Sequence, residues 1–269
     1  MFNFVIWCSI LIISIILYFT NNTVRYYAKY GLYLLFLTII STATVLLVIF
    51  TCRSKSTKNN RLAIWSMKKL KYLYGWEFDI HGREYLMNDE ASVVLVNHQS
   101  GLDLFGLMEL WNWEYHCTVV GKRSLMYLGV FGLATYLCDT VFLDRYDHAR
   151  AVQQMNAIVD NIHSKKLKVF VFPEGTRNHE GSMLPFKKGA FHIAVQSQVP
   201  IIPVVFSSYK SIYSKENKKF QSGKITITCL PPVPTAGLTK EDIPNLLDSI
   251  RNSMVETYNR TSSTKDKTD

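Results

Sequence analysis

Short segments of this 269-residue chain gather the residue types that chemistry needs. The first is Asn97-His98-Gln99-Ser100-Gly101-Leu102-Asp103, which follows an apolar run at 92–96. Histidine, with an unperturbed pKa of about 6.5, takes up and returns protons near neutral pH. A loop that turns Asp103 back onto the His98 ring fixes the tautomer and leaves the other nitrogen free for general-base work. His98 and Asp103 are therefore the candidate catalytic pair, with a structural histidine as the competing reading. Ser100 lacks a G-x-S-x-G elbow, so a serine hydrolase is weakly supported.

A second group of residues is suited to holding phosphate. Arg177 closes the segment Pro173-Glu174-Gly175-Thr176-Arg177 after an apolar run at 168–172. Its guanidinium presents a planar fork of donors that matches a phosphate. A turn through Glu174, Gly175 and Thr176 would aim backbone N–H groups at the same anion. The alternative is a plain Glu174–Arg177 surface pair. Lys122 and Arg145 are further phosphate candidates on the same logic. Gly121-Lys122-Arg123-Ser124 is not a P-loop, because Arg123 stands where Ser or Thr is required and His116 replaces the upstream glycine. The five cysteines form no CxxC pair and read as reduced packing residues, so neither a disulfide framework nor a metal site is expected.

These segments need a scaffold. Short runs rich in Val, Ile or Phe predict strands at 78–82, 92–96, 117–121, 140–143, 168–172, 201–206 and 225–230. Between them, helices are predicted at 103–113, 125–137, 147–164, 189–198 and 240–258. The alternation implies an α/β fold, a mostly parallel mixed sheet flanked by helices. Active groups in such sheets collect at the carboxyl ends of strands, where the segments above fall. The 125–137 helix is apolar around most of its surface. It is read as core, with a membrane-facing surface as the alternative.

Two apolar runs, 4–19 and 31–50, precede this domain. At 1.5 Å per residue the second extends about 30 Å, the thickness of a bilayer core. They are read as a hydrophobic helical hairpin; a cleaved signal peptide and a buried hairpin of a soluble protein are the alternatives. The formal charge is +9, yet residues 1–76 carry nine Lys or Arg and no Asp or Glu, leaving the rest of the chain balanced. Basic residues that flank apolar segments fit anionic lipid headgroups rather than nucleic acid. Their bias places everything after residue 50 in the cytosol. Hydropathy leaves open whether the hairpin crosses the bilayer or half-embeds.

Taken together, the segments resemble the glycerolipid acyltransferase family, and within it the 1-acylglycerol-3-phosphate acyltransferases of animals. The N-H-x-x-x-x-D block is Asn97, His98 and Asp103. The second block ends in Phe142-Leu143-Asp144-Arg145, the third is Phe172-Pro173-Glu174-Gly175-Thr176-Arg177, and the fourth is Val199 to Val204 with its internal Pro203. All four stand in the family's order, and the similarity runs from about residue 1 to 258. One departure is Cys138-Asp139-Thr140, where the family often has glycine.

The resemblance implies acyl transfer from acyl-CoA to the sn-2 hydroxyl of lysophosphatidic acid. His98 would act as base, Asp103 would orient it, and Arg177, helped by Lys122 and Arg145, would hold the phosphate. Acyl-CoA is a co-substrate, no cofactor is implied, and membrane lipids are the expected surroundings. It further implies an endoplasmic reticulum membrane location, with the catalytic domain facing the cytosol. The expected division is a membrane hairpin at 1–50, a basic linker and juxtamembrane helix at 51–76, an acyltransferase domain at 77–260 and a disordered tail at 261–269. An acyltransferase acting on another acceptor, or a non-catalytic membrane scaffold, are the rival readings.

Overall fold

The structure is a computed structural model that describes residues 2–112, 114–144 and 148–263. Its strands are β1 (Trp76–His81), β2 (Ser92–Val96), β3 (Cys117–Lys122), β4 (Val141–Leu143), β5 (Lys168–Val171), β6 (Ile201–Phe206), β7 (Tyr213–Ser214), β8 (Lys219–Phe220) and β9 (Gly223–Cys229). Seven of them form one sheet in the order β1-β9-β6-β2-β5-β3-β4. Neighbours run parallel except β6 and β9, which pair antiparallel, so the sheet is mixed and mostly parallel as expected. The two-residue strands β7 and β8 make a separate hairpin, too short to leave a periodic signal in the sequence.

The helices are α1 (Phe2–Thr20), α2 (Asn22–Phe50), α3 (Arg61–Tyr74), α4 (Asp103–Leu110), α5 (Gly129–Leu137), α6 (His148–Ile162), α7 (Gly189–Ser197) and α8 (Ile243–Ser263). The predicted 103–113 helix ends early, at Leu110, and its last residue, Trp113, lies outside the described residues, as does Asp147 at the predicted start of α6. The predicted start of α8 at residue 240 is a 3-10 turn, where Thr239 and Asp242 form a capping box.

Alternation along β2 divides the core. Val94 and Val96 face one side, with α3 and α4; Val93 and Leu95 face the other, with α6, α7 and α8. All five β2 residues are buried, as expected of a central parallel strand. The end of this strand is therefore a rigid mount for the residues that follow it.

The N-terminal helices differ from each other. Along α1 the apolar side chains lie open, with Phe4 and Trp7 at 73% and 70% exposure. One stripe of α2, including Tyr26, Tyr33 and Ile40, belongs instead to the domain's own core. Contacts run the length of α2: the Tyr26 and Tyr213 hydroxyls lie 3.1 Å apart, Lys29 Nζ donates to Phe220 O, and Tyr33 Oη donates to Gly101 O. The 51–76 segment, expected as a linker with a juxtamembrane helix, contains α3, whose Ile64, Met67, Leu70 and Tyr74 are buried in that same core.

The 125–137 segment departs from its reading as core. It is a 3-10 turn, Arg123–Tyr127, followed by α5, with Gly132 and Ala134 buried. Tyr127, Leu128, Leu133 and Tyr136 are exposed, so an apolar face continues outward beside α2.

Candidate active site

The loop after β2 is tied down at each step. Asn97 Nδ2 donates to Phe206 O, and Phe206 N donates back to Asn97 Oδ1 at 2.7 Å, clamping the ends of β2 and β6 together. His98 follows directly. Its Nδ1 lies 2.6 Å from Asp103 Oδ2, and its ring stacks on Phe172 with centroids 4.0 Å apart. Asp103 is 2% exposed and also accepts the Gln99 and Ser100 backbone N–H groups. These bonds satisfy its carboxylate and set its direction. With Nδ1 facing the carboxylate, Nε2 is the nitrogen left for the cavity that His98 lines.

Glu174 makes no ion pair with Arg177 among the described ion pairs. It is 3% exposed and lies beneath the loop, where Oε1 accepts His98 N at 2.7 Å and Oε2 accepts Leu184 N at 2.9 Å. Burial raises its pKa above the ordinary carboxylate value, and the two backbone N–H groups and His98 act against that rise. Its geometry is that of a clamp for the His98 backbone. Glu174→Gln replaces one acceptor oxygen with a donor facing an N–H group. We expect it to cost about 1.5–3 kcal/mol and to lower kcat with it. Thermal unfolding and kcat measured together decide this; no change in either would refute the clamp.

Gly175 has φ +70°, a left-handed conformation that favours glycine, and the end of the Lys187 side chain lies close over it. Lys187 is a cation the sequence reading missed. It lies ten residues beyond Arg177, with no strand end to mark it. Gly175, Thr176, Arg177, Lys122 and Lys187 line the cavity that contains His98, and the Arg177 guanidinium packs against Gly101. Arg145 lies outside the described residues.

The cavity has a volume of about 1040 Å³. Tyr33, Leu34 and Leu37 of α2 form part of its wall, as do Leu125, Leu128 and Phe131 from the 3-10 turn and α5. It is thus cationic near His98 and apolar between the two outward-facing helices. Among the described residues, no three His, Cys, Asp or Glu are grouped to hold a metal ion. All five cysteines are free, and burial pushes the thiols of Cys117, Cys138 and Cys229 up to about 12, far from thiolate chemistry at neutral pH.

Asp139, the departure from the family's glycine, has φ +62°. This is the left-handed conformation that glycine adopts without strain and that aspartate tolerates better than most residues. The Asp139 carboxylate pairs with Lys55 at 3.2 Å.

Tyr209 is a further group the sequence did not flag. Its N–H donates to Gln99 Oε1, and its enclosed hydroxyl approaches Asp103 without reaching good hydrogen-bond geometry with any neighbour. Burial first, then the Asp103 charge, push this phenol well above its usual pKa. Because a buried unpaired hydroxyl is costly, Tyr209→Phe is expected to stabilise the fold by about 1 kcal/mol while kcat stays within a few-fold. A lowered Tm would mean that the phenol does bond to Asp103.

A mostly parallel mixed sheet carries an imidazole–carboxylate pair at a strand end, beside arginine and an apolar cavity, an arrangement suited to acyl transfer. The family model described as Acyltransferase matches residues 77–207. The chain is 39% identical over 245 residues to human 1-acyl-sn-glycerol-3-phosphate acyltransferase alpha, covering 90% of this chain and 84% of that protein. It is 37% identical over 248 residues to the human beta form, covering 92% and 88%. The crystal structure of the 1-acyl-sn-glycerophosphate acyltransferase PlsC from Thermotoga maritima shares the fold, with a TM-score of 0.60, 22% identity, and coverage of 83% of this chain and 95% of that one. The chain belongs to the 1-acyl-sn-glycerol-3-phosphate acyltransferase family.

Proposed function

We propose that this protein transfers an acyl group from acyl-CoA to the sn-2 hydroxyl of 1-acyl-sn-glycerol 3-phosphate, giving phosphatidic acid and CoA. The observation that carries this reading is the His98–Asp103 pair, 2.6 Å apart, facing one cavity with Arg177 and the apolar side chains of α2. His98 Nε2 takes the hydroxyl proton as the alkoxide oxygen forms a bond to the thioester carbonyl carbon. The carbon–sulfur bond then breaks, and CoA leaves as the thiol after receiving the proton from the imidazolium. Asp103 holds the ring and steadies its positive charge. Arg177, with Lys122 and Lys187, binds the acceptor phosphate, and Arg145 is assigned to the same anion by the sequence pattern. Bringing the two substrates together in one cavity supplies much of the rate. The reaction so written uses no cofactor.

The two apolar N-terminal helices associate the protein with a membrane. In this proposal the protein sits on one face of the bilayer, because α2 touches the domain near its start, at Tyr26, packs beside α5, and stays buried along one stripe as far as Val48. A helix about 44 Å long cannot keep both contacts and also carry its far end across the membrane. The exposed α1 supplies the inserted anchor, and the basic residues of 1–76 meet the cytosolic headgroups of the endoplasmic reticulum.

The test is an acceptor panel. Full-length protein in a host membrane low in this activity is given oleoyl-CoA with lysophosphatidic acid, glycerol 3-phosphate or lysophosphatidylcholine, and the lipid product is identified. Phosphatidic acid made from lysophosphatidic acid is the expected product. Turnover with another acceptor alone would overturn the assigned substrate, and no turnover from folded, membrane-bound protein would favour a scaffold.

A further inference from the structure

We infer that the elbow between α1 and α2 carries a second anion site, one that takes the phosphate of an anionic membrane lipid. A cavity of about 230 Å³ opens there, lined by Arg25, Lys218 and Lys219 together with Asn22, Asn217 and Gln221. None of its lining residues is acidic, and it shares none with the cavity that holds His98. Glu216, the carboxylate of the same hairpin, is exposed and outside the lining.

Arg25 and Lys218 are held in place by the fold. Arg25 donates through Nε to Tyr18 O and through Nη2 to Phe19 O, closing the carboxyl end of α1. Those bonds fix its guanidinium at the elbow and leave further N–H donors of its fork. Lys218 sits in the turn between β7 and β8 with φ +50°, and its ammonium lies 5.5 and 5.3 Å from the ring centroids of Tyr26 and Tyr27. One helical turn beyond Arg25, Lys29 Nζ bonds Phe220 O and ties α2 to the same hairpin. Two separate parts of the chain therefore converge their positive charge on one hollow.

Its setting points to a lipid rather than a free ion. The hollow lies where the exposed apolar α1 ends and the polar hairpin begins, beside Phe19 at 70% and Tyr27 at 56% exposure. Aromatic rings with cations at the end of an apolar helix mark the headgroup level of a membrane. A lipid phosphate would meet the cations while its chains lie along α1; inorganic phosphate would gain nothing from that apolar neighbour. The site is independent of the acyl-transfer reading. It would fix the depth and tilt of the elbow, and α2 extends from there to Tyr33, which bonds the Gly101 carbonyl.

The experiment uses the full chain in phosphatidylcholine nanodiscs containing phosphatidylglycerol with a photoreactive group beside its phosphate. Crosslinks are mapped by peptide mass. Wild type is expected to label within residues 22–29 and 217–221, with competition by unlabelled phosphatidylglycerol. In the Lys218→Gln/Lys219→Gln variant, apparent affinity is expected to fall about 30-fold, roughly a factor of five for each cation lost at an anionic surface. Lys218→Arg/Lys219→Arg retains the charge and is expected to retain the labelling, which separates charge from folding. Equal labelling by a phosphatidylcholine probe would overturn the proposal, as would unchanged affinity in the glutamine variant or loss in the arginine variant. Displacement by inorganic phosphate as effective as by lipid would identify a free-anion site and overturn the lipid assignment.

Discussion

His98→Ala is expected to lower kcat by about 10²–10⁴-fold, the usual contribution of a positioned general base, while KM for either substrate changes little. The imidazole is held by Asp103 Oδ2 at 2.6 Å and by stacking on Phe172, so its removal takes away a positioned base. Asp103→Asn should approach the same loss while leaving most of the geometry standing. An amide oxygen can still accept from the Gln99 or Ser100 N–H, but it places no negative charge behind the ring and can hold the wrong tautomer. The double variant should be little worse than either single one, because the pair acts as a unit. The measurement is initial-rate CoA release at saturating substrates, with thermal unfolding to show that each variant is folded. A His98→Ala enzyme retaining more than a tenth of wild-type kcat would remove His98 from the mechanism.

Arg177→Ala is expected to act mainly on the phosphate-bearing acceptor. Losing a charge-assisted pair of bonds costs about 1.5–3 kcal/mol, or roughly 10- to 150-fold. That loss should fall on KM for lysophosphatidic acid far more than on KM for acyl-CoA. Arg177→Lys should recover only part of it, since an ammonium keeps the charge but not the planar fork. Lys122 and Lys187 line the same cavity, so binding should weaken rather than vanish. Steady-state kinetics with each substrate varied in turn make the comparison. An equal rise in both KM values, or a loss confined to kcat, would contradict the phosphate role. Glu174 provides the contrast: it is three residues away in sequence, but its substitution should act on fold and kcat through the His98 backbone.

The sequence by itself determined the local chemistry and the scaffold class. Residue type and order suffice to single out His98, Asp103 and Arg177 as candidates, because these segments lie at strand ends and strand ends follow from short β-branched runs bounded by turn residues; their roles came from the family resemblance. The alternation of such runs with amphipathic helices likewise indicates the α/β sheet. The tertiary structure decided what each apolar surface faces. The run at 31–50 has the same hydropathy whether lipid or protein covers it, and only the packed chain puts Tyr33 and Ile40 in the domain core while α1 stays open. The 125–137 segment was ambiguous for the same reason and turned Tyr127, Leu128, Leu133 and Tyr136 outward. Pairings across long separations were equally hidden: Glu174 beneath His98, Lys187 against Gly175 and Tyr209 behind Asp103 depend on the meeting of β2, β5 and β6. Periodicity along a chain records which residues share a face. What covers that face is set by contacts between distant segments, and those form only when the sheet assembles.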